Sequence, residues 1–424
     1  MSAGDERTRH HLLVLADRGS INLPLNAWPV MWNDIKQQLD AIEISELTEN
    51  EVWSYRYLKH NLRRAMRTAS GSTKIYKSDN QVYFHDFSTP HREKAYTTGS
   101  VSILTKHLAG KVQANYIQQP LDGKQYRADG SYLAASMGNW VLGIGSIDRW
   151  WGPGWHNSLI LSNNARPAPS LFLQRSDSNA LRTPVLRWLG PWNITLFASN
   201  LDDDREEYKA ELSGGRIGFK PIKYLELGVH STQQIYDGNL NNTESNLKLQ
   251  GYDWRLHFGI SRVRAAVYQQ LVERNDDDPN TPQEGELSGM EVAFSLLGVH
   301  NRLNLEECDN LNSGNRLYEH SDYPGVDAYT YYGNELADSA GSNARTQNIS
   351  GMHYLQNGHY VQWKVGRVEK GDETNTLKFA QLSYSFPIND NMLASFGAWN
   401  VAEEIEFAEK QFNSGNFIKI EYAF

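Results

Sequence analysis

The last eight residues of the chain alternate between apolar and polar positions. Lys419 and Glu421 lie on one face of the alternation. The other face is apolar and carries Ile418, Ile420, Tyr422 and Phe424. A repeat of two is the period of a β-strand, so the pattern predicts a strand with one apolar face and one polar face that contacts water.

The same alternation recurs along the chain from about residue 80. About 18 to 20 segments follow it, most of them near the ~10 residues that cross a membrane at a tilt. The clearest begin at Gln81, Trp192, Trp254, Arg302, Val361 and Gln381. A soluble sandwich also alternates, but a strand that ends on an aromatic residue such as Phe424 resembles the sorting signal of bacterial outer-membrane barrels.

The connections between these segments alternate as well. Counting back from a carboxyl terminus placed in the periplasm, the predicted outer connections are long and polar: 119–130, 147–156, 174–180, 200–210, 236–246, 273–286, 307–346, 369–374 and 402–415. The predicted periplasmic connections are short: 109–110, 138, 163–167, 189–191, 220–223, 259–261, 297–298, 357–358 and 387–390. Long outer loops and short periplasmic turns are the asymmetry of outer-membrane barrels.

The first 75 residues follow a different pattern. Residues 11–15 are consistent with one short strand, and apolar residues then recur at helical spacing from Trp28 to Ile42. Thr48 and Glu51 have the spacing of a capping box that opens a second helix. We expect residues 1–75 to form a periplasmic helical segment that packs on the barrel of residues 76–424, because so few residues cannot hold a stable core alone.

Composition narrows the class of protein further. The mean hydropathy is −0.59, and the chain lacks the ~18 successive apolar residues of a membrane helix. With 41 basic and 50 acidic residues the net charge is −9, which disfavours nucleic acid as a partner. Cys308 is the single cysteine, so no intrachain disulfide forms. The chain starts without an export signal, and we expect that the native signal was removed and that Met1 was added for expression.

The densest candidate for chemistry is the segment 148–157. Three tryptophans surround a Gly-Pro-Gly turn and lie beside a guanidinium group, and the candidate glycan-binding residues are Arg149, Trp150, Trp151 and Trp155. Flat indoles stack on the apolar faces of sugars while polar neighbours bind the hydroxyls. Alternatively, the indoles belong to an interfacial aromatic girdle or pack inside the barrel against an inward-folded loop.

The long segment 307–346 is the second candidate. It mixes donors, acceptors and rings, and the residues that we single out are Arg316, Tyr329, Tyr331 and Tyr332. The alternative is a lid that folds into the lumen. The acidic runs 202–204 and 276–278 lack the spacing of a calcium loop, so we interpret them as solvated tips.

Several of these motifs together are similar to one known family. They are the run 149–167, the segments 188–192 and 204–205 downstream, and the segments 17–19 and 24–29 upstream. Together they resemble the capsule assembly Wzi family of outer-membrane lectins. The resemblance implies an 18-stranded antiparallel transmembrane β-barrel whose periplasmic end is closed by helices, and retention of capsular polysaccharide without catalysis. It does not identify the residues that contact sugar.

We therefore predict a non-enzymatic lectin of the bacterial outer membrane, with periplasmic helices and extracellular long loops. The expected partners are capsular or extracellular polysaccharide, outer-membrane lipid, and the barrel assembly machinery through the strand ending at Phe424; we expect a monomer without metal or cofactor. An acidic capsule would require a basic patch, for which Arg149, Arg166 and Arg316 are the candidates. The alternatives are a porin for oligosaccharides and a barrel hydrolase whose Ser, His and Asp or Asn meet only in space.

Overall fold

The wall of the molecule is a closed antiparallel β-barrel. The structure is a computed structural model, and it describes residues 3–82, 84–88, 93–180, 183, 186–201, 208–238, 245–260, 263–275, 283–311, 317–318, 329–371, 376–404 and 411–424. Within these residues, the wall strands β1 to β18 are Ala69–Ser78, Ala95–Leu104, Leu108–Gln118, Tyr132–Met137, Trp140–Gly145, Ser170–Arg175, Trp192–Asn200, Tyr208–Ile222, Leu225–Gly238, Ser245–Ile260, Val263–Arg274, Gln283–Leu296, Val299–Asp309, Ala344–Leu355, Tyr360–Lys370, Thr376–Asn389, Met392–Glu404 and Gln411–Ala423. This confirms the predicted fold class and the strand number implied by the family resemblance.

The last strand closes the barrel by pairing with the first. The register runs from Ser72 opposite Ala423 to Ser78 opposite Phe417. On the lumen side of this seam, Lys74 pairs with Glu421 at 3.0 Å. On the outside, a side chain at Gly71 would meet the ring of Phe424 at 2.3 Å, so only glycine lets that ring lie across the seam. The predicted division of the last strand into an apolar and a polar face is confirmed.

The outer surface of the wall is apolar. Alternate strand residues point outward and are widely exposed, and they include Val101, Val112, Leu133, Ile144, Leu171, Val229, Met290, Leu382, Phe396 and Ile418. Val112 is 74% exposed and Leu133 is 58% exposed. A surface of this composition is unfavourable in water and suits the hydrocarbon core of a membrane.

The two ends of the barrel differ in their connections. At the short-turn end, the strands are joined by turns such as 105–107, 138–139, 223–224, 297–298, 356–359 and 390–391. At the long-connection end, the segments 79–94, 119–131, 146–169 and 310–343 are much longer. The predicted alternation of long and short connections holds around most of the barrel.

Two of the predicted connections were wrong. Residues 163–167 do not turn at the short-turn end but belong to the connection 146–169 of the opposite end, and residues 174–180 lead into the connection 176–191 of the short-turn end. The reason is the apolar run at 159–161, which is buried in the lumen and forms no wall strand. The sequence pattern counted it as part of the wall.

The described residues form three helices: α1 (Glu6–Ala16), α2 (Trp32–Asp40) and α3 (Glu49–Ala65). Helices α2 and α3 lie at the short-turn end, and α1 extends from there into the lumen. The expected strand at 11–15 was wrong, because these residues belong to α1. Helix α2 starts at Trp32, whereas the sequence pattern indicated a start near Trp28. The predicted capping box of Thr48 and Glu51 is present at the start of α3. No helix of the described part of the chain is long and apolar enough to cross a membrane.

The helical segment is fixed to the wall by buried ion pairs. Arg255 on the wall donates to both carboxylate oxygens of Asp17, at 2.7 and 2.9 Å, and also pairs with Glu291. Glu291 in turn pairs with Arg302. The first wall strand starts at Ala69, inside the stretch 1–75 that the sequence assigned to the helical segment, and the division into two domains stays a prediction.

A single hydrophobic cluster fills much of the lumen. It combines side chains of α1 with side chains of the 146–169 connection, and its members include Leu12, Leu15, Trp28, Phe87, Trp150, Trp151, Leu159 and Ile160. The polypeptide that enters the barrel from the short-turn end therefore meets the polypeptide that folds in from the other end.

Candidate functional site

The tryptophan-rich motif lies inside the barrel. The two-residue strand Trp150–Trp151 pairs with Ala27–Trp28, so that Trp28 lies opposite Trp150. The side chains of Trp150 and Trp151 are each 1% exposed, and Trp155 is 5% exposed. Two segments that the sequence singled out separately thus form one small sheet in the lumen.

The Gly-Pro-Gly turn of this motif is held by groups from two directions. Arg9 on α1 donates to the carbonyls of Pro153, at 2.6 Å, and Gly154, at 2.9 Å. Its guanidinium lies 4.2 Å from the ring centre of Trp155, and burial lowers its pKa to about 10. From the wall, the carboxylate of Glu306 accepts the backbone N–H groups of residues 155, 156 and 157 at 2.7, 3.1 and 2.7 Å.

The indole N–H groups of Trp150 and Trp155 already have partners. Trp150 donates to the Gly154 carbonyl at 3.1 Å, and Trp155 donates to Glu291 at 2.9 Å. Because Trp150 and Trp151 are almost fully covered, they are not available to a ligand in this conformation, whereas Trp155 lines a second cavity beside His156. Their assignment as glycan contacts stays a prediction.

The other candidate residues have different positions. Arg149 is buried, donates to the hydroxyl of Ser170 at 2.8 Å and lies over Phe197; burial lowers its pKa to about 10. Tyr329 is fully buried and donates within the lumen. Tyr331 is buried beside Tyr332, with ring centres 4.6 Å apart. Arg316 and the acidic runs 202–204 and 276–278 lie outside the described residues.

A cavity lies at the long-connection end, and Tyr332 is part of its lining. Four connections contribute to it: 79–94, 119–131, 146–169 and 310–343. The lining residues are His85, Glu93, Leu121, Asp122, Arg127, Asp148, Asn163, Asn164, Ala165, Arg166, Pro167, Tyr332 and Asn334. We refer to it as the loop cavity.

A chain of ion pairs crosses the loop cavity. Arg127 pairs with Glu93 at 2.6 Å and with Asp122 at 2.7 Å. Arg166 pairs with Asp122 at 2.5 Å and binds both oxygens of Asp129, at 2.9 and 3.0 Å. Burial disfavours the charged form of Asp122, but the Lys124 N–H and the Arg127 charge outweigh it and lower its pKa. The network fixes Arg166 at the cavity and holds its charge among carboxylates.

Tyr332 has a strained backbone and an ordered ring. It occupies the left-handed region with φ +49°, next to Gly333 at +75°, in the turn between Thr330–Tyr331 and Asn334–Glu335. Asn-Gly is the usual pair at such a turn, so a tyrosine there is costly and suggests a role for the ring. The Arg166 guanidinium lies 4.5 Å from the ring centre and orients it.

Two asparagines belong to the lining of the same cavity. The amide nitrogen of Asn163 donates to the Phe87 carbonyl at 3.0 Å, and that of Asn164 donates to the Glu335 carbonyl at 2.7 Å. The amide oxygens of both are buried and lack a hydrogen-bond partner within the described part of the protein. Unsatisfied buried acceptors are costly unless a ligand or water donates to them.

Asp148 adds a further carboxyl group to the lining. Burial, followed by repulsion from Asp129, raises its pKa to about 7. The positive charges that face it, on Lys111, Arg149 and Lys74, do not offset these two effects. The site therefore combines one aromatic ring, amide acceptors and neutralised guanidinium groups, which are suited to bind hydroxyl-bearing rings. The described residues contain no group of three or more His, Cys, Asp or Glu side chains placed to hold a metal ion.

Sequence reasoning identified Tyr332 but not most of its partners in the cavity. Asn163, Asn164 and Arg166 lie in a run that the sequence had placed at the opposite end of the barrel. Asp122 and Arg127 lie in a connection that was marked only as long and polar. The sequence shows that these loops carry polar side chains. It does not show which loops contact one another.

Comparison with known proteins gives a family match and a related sequence. The sequence model of a family described as "Capsule assembly protein Wzi" matches residues 63–416. A Klebsiella pneumoniae protein described as "Uncharacterized 55.8 kDa protein in cps region" is 29% identical over 231 residues, which are 54% of this chain and 45% of that protein. The match thus spans about half the length of that relative.

Solved structures share the fold. Wzi of Escherichia coli, described as an outer membrane protein involved in group 1 capsule assembly and a carbohydrate-binding β-barrel, superposes with a TM-score of 0.87 at 22% identity, over 100% of this chain and 99% of that chain. OccK3 (OpdO) of Pseudomonas aeruginosa gives a TM-score of 0.53 at 10% identity, over 84% and 95% of the two chains.

Proposed function

Because this chain belongs to the capsule assembly protein Wzi family, we propose that it is an outer-membrane barrel that binds capsular polysaccharide, or a related surface glycan, and helps to hold it at the cell surface without catalysis. In this proposal the long-connection end is extracellular, and the short-turn end with its helices is periplasmic. The apolar outer surface contacts outer-membrane lipid, the strand ending at Phe424 is read by the barrel assembly machinery, and the barrel acts as a monomer.

The observation that carries the proposal is the loop cavity. Tyr332 presents a ring whose backbone is strained, and Asn163 and Asn164 present unsatisfied acceptors beside it. A sugar ring that stacks on Tyr332 brings hydroxyl donors within reach of such acceptors. We assign the buried residues Arg149, Trp150, Trp151, Trp155 and Tyr329 an indirect role, because they pack the lumen beneath the site.

The porin alternative is less well supported than glycan retention. The lumen is occupied by α1 and by the 146–169 connection, which join in one hydrophobic cluster. Arg9 links them through the carbonyls of Pro153 and Gly154. A continuous polar path for an oligosaccharide would require both segments to move.

The test is retention of high-mass polysaccharide from the encapsulated source strain on immobilised, detergent-folded protein. We expect Tyr332→Asn to weaken retention about ten-fold, since it removes the ring but leaves an Asn-Gly turn. Tyr332→Phe should retain the glycan, and Tyr126→Asn is the matched control, because Tyr126 is exposed at the same end outside the cavity. Equal retention by the wild type and Tyr332→Asn would refute this site, and no retention by the folded wild type would refute the function.

A further inference from the structure

We infer that the loop cavity takes an uncharged sugar unit and disfavours one that carries a carboxylate, such as a uronic acid. This inference rests on the proposed function and specifies the class of ligand. It is carried by the charges of the cavity and of the connections that surround it.

The cations of the cavity are already neutralised. Arg127 is shared between Glu93 and Asp122, and Arg166 between Asp122 and Asp129. The two guanidinium groups thus face three carboxylates, in pairs of 2.5 to 2.9 Å. A ligand carboxylate would have to displace one of these partners. The displaced carboxylate would lose its ion pair in a partly buried site, and this loss outweighs the gain from the new pair.

The ion-pair chain of the cavity contains one carboxylate more than guanidinium groups. Asp148 is a further carboxyl group of the lining, and the charged groups facing it are Asp129, Lys111, Arg149 and Lys74. Asp148 repels a ligand carboxylate when it is ionised, above its pKa of about 7, and Lys111, Arg149 and Lys74 offset part of that repulsion. A neutral sugar avoids this repulsion.

By sequence, the connections between strands at the long-connection end are acidic in sum. The nine connections of the long-connection end together contain 24 acidic and 9 basic residues; they are 79–94, 119–131, 146–169, 201–207, 239–244, 275–282, 310–343, 371–375 and 405–410. The eight connections of the short-turn end contain 5 basic and 2 acidic residues. An anionic polymer that approaches the long-connection end is repelled over the distance of the Debye length.

The basic patch expected from the sequence is not formed by its described members. Arg149 points into the wall against Phe197 and Ser170, and Arg166 is neutralised by two aspartates. The third candidate, Arg316, lies outside the described residues. The uncharged groups of the lining include the ring of Tyr332 and the amides of Asn163 and Asn164, whose oxygens accept hydrogen bonds and need no charge.

The test compares one polysaccharide in two charge states. Capsular polysaccharide of the source strain is applied to the folded protein before and after chemical reduction of its carboxyl groups to alcohols. We expect the reduced polymer to be retained at least as well as the native one, and its retention to change less than two-fold between low and physiological salt. If the capsular polysaccharide of the source strain has no carboxyl groups, its retention without chemical treatment supports the inference.

A variant tests the same idea by gain of binding. Asp148→Asn removes one negative charge of the lining, and we expect about three- to ten-fold better retention of the carboxylated polymer at pH 8 with no change for the reduced polymer. Asp390→Asn, at the short-turn end, makes the same change of net charge and should change neither. Loss of retention on carboxyl reduction overturns the inference but leaves the proposed function in place, whereas failure to retain either polymer refutes the proposed function itself.

Discussion

Glu306 determines where the tryptophan-rich motif lies. Its carboxylate accepts three consecutive backbone N–H groups of the 146–169 connection and a fourth hydrogen bond, of 3.0 Å, from Tyr268. A chain that folds inward must satisfy its backbone groups away from water, and one wall carboxylate does so for a whole turn.

Replacement of Glu306 should therefore loosen the motif. We expect Glu306→Ala to lower the free energy of unfolding by about 2 to 4 kcal/mol and to shift tryptophan fluorescence to the red, because buried donors lose their acceptor. Glu307→Ala is the matched control, since the neighbouring side chain is 49% exposed. Equal unfolding midpoints and spectra for the two variants would contradict this role.

Asp148 should make stability depend on pH. Its pKa in the fold is about 7, above the ~3.9 of an unfolded chain, so the folded state binds the extra proton. This contribution is complete below the unfolded pKa and is lost as the pH rises through 7. Asp148→Asn should thus raise the unfolding temperature by a few degrees at pH 8, with a gap that narrows towards pH 4; an equal gap at both pH values would contradict the assignment.

At the residue level, the sequence identified the unusual side chains better than their surroundings. Trp150, Trp151 and Trp155 stood out by composition, but composition is the same for an exposed sugar platform and for a buried cluster. The distinction depends on Arg9 and Glu306, which are distant from the motif in the chain and contact it only through the tertiary fold.

Among the elements, α1 was the one assigned to the wrong type. Its run of apolar residues at 12–15 has no period, and a buried helix cannot be told from a buried strand by such a run. Inside a barrel the helix is covered on all sides, and Leu12 and Leu15 have no exposed surface. Helix α3 has one exposed side, so its period and its capping box were readable.

The connection between α1 and the wall is open to a direct test. Asp17→Ala removes the carboxylate that accepts two hydrogen bonds from Arg255, and we expect a loss of about 3 kcal/mol in the free energy of unfolding. We also expect the variant to open frequently in planar bilayers, where the wild type should be nearly silent. Asp40→Ala is the control, because Asp40 is exposed and pairs only with Lys36 and Lys59 among the described residues. Full conductance of the wild type would contradict an occluded lumen.

For the whole molecule, the closed barrel followed from the alternation of residues and the alternation of connection lengths. Both patterns repeat around the wall, so errors at single elements, such as 159–161, did not change the fold class. The loop cavity depends on contacts between four connections whose pairing is not periodic. A property without a period, such as the Arg166 to Tyr332 contact, could not be read from the chain alone.

The most direct measurement of the central claim is the fraction of capsular polysaccharide that stays on cells. In the source strain with the gene for this chain deleted, the cell-bound and released polysaccharide would be quantified after complementation with the wild type, Tyr332→Asn or Tyr126→Asn at equal barrel levels. We expect the wild type and Tyr126→Asn to restore the cell-bound fraction and Tyr332→Asn to leave most of the polymer in the medium. An unchanged cell-bound fraction in the deletion strain would contradict a role in glycan retention.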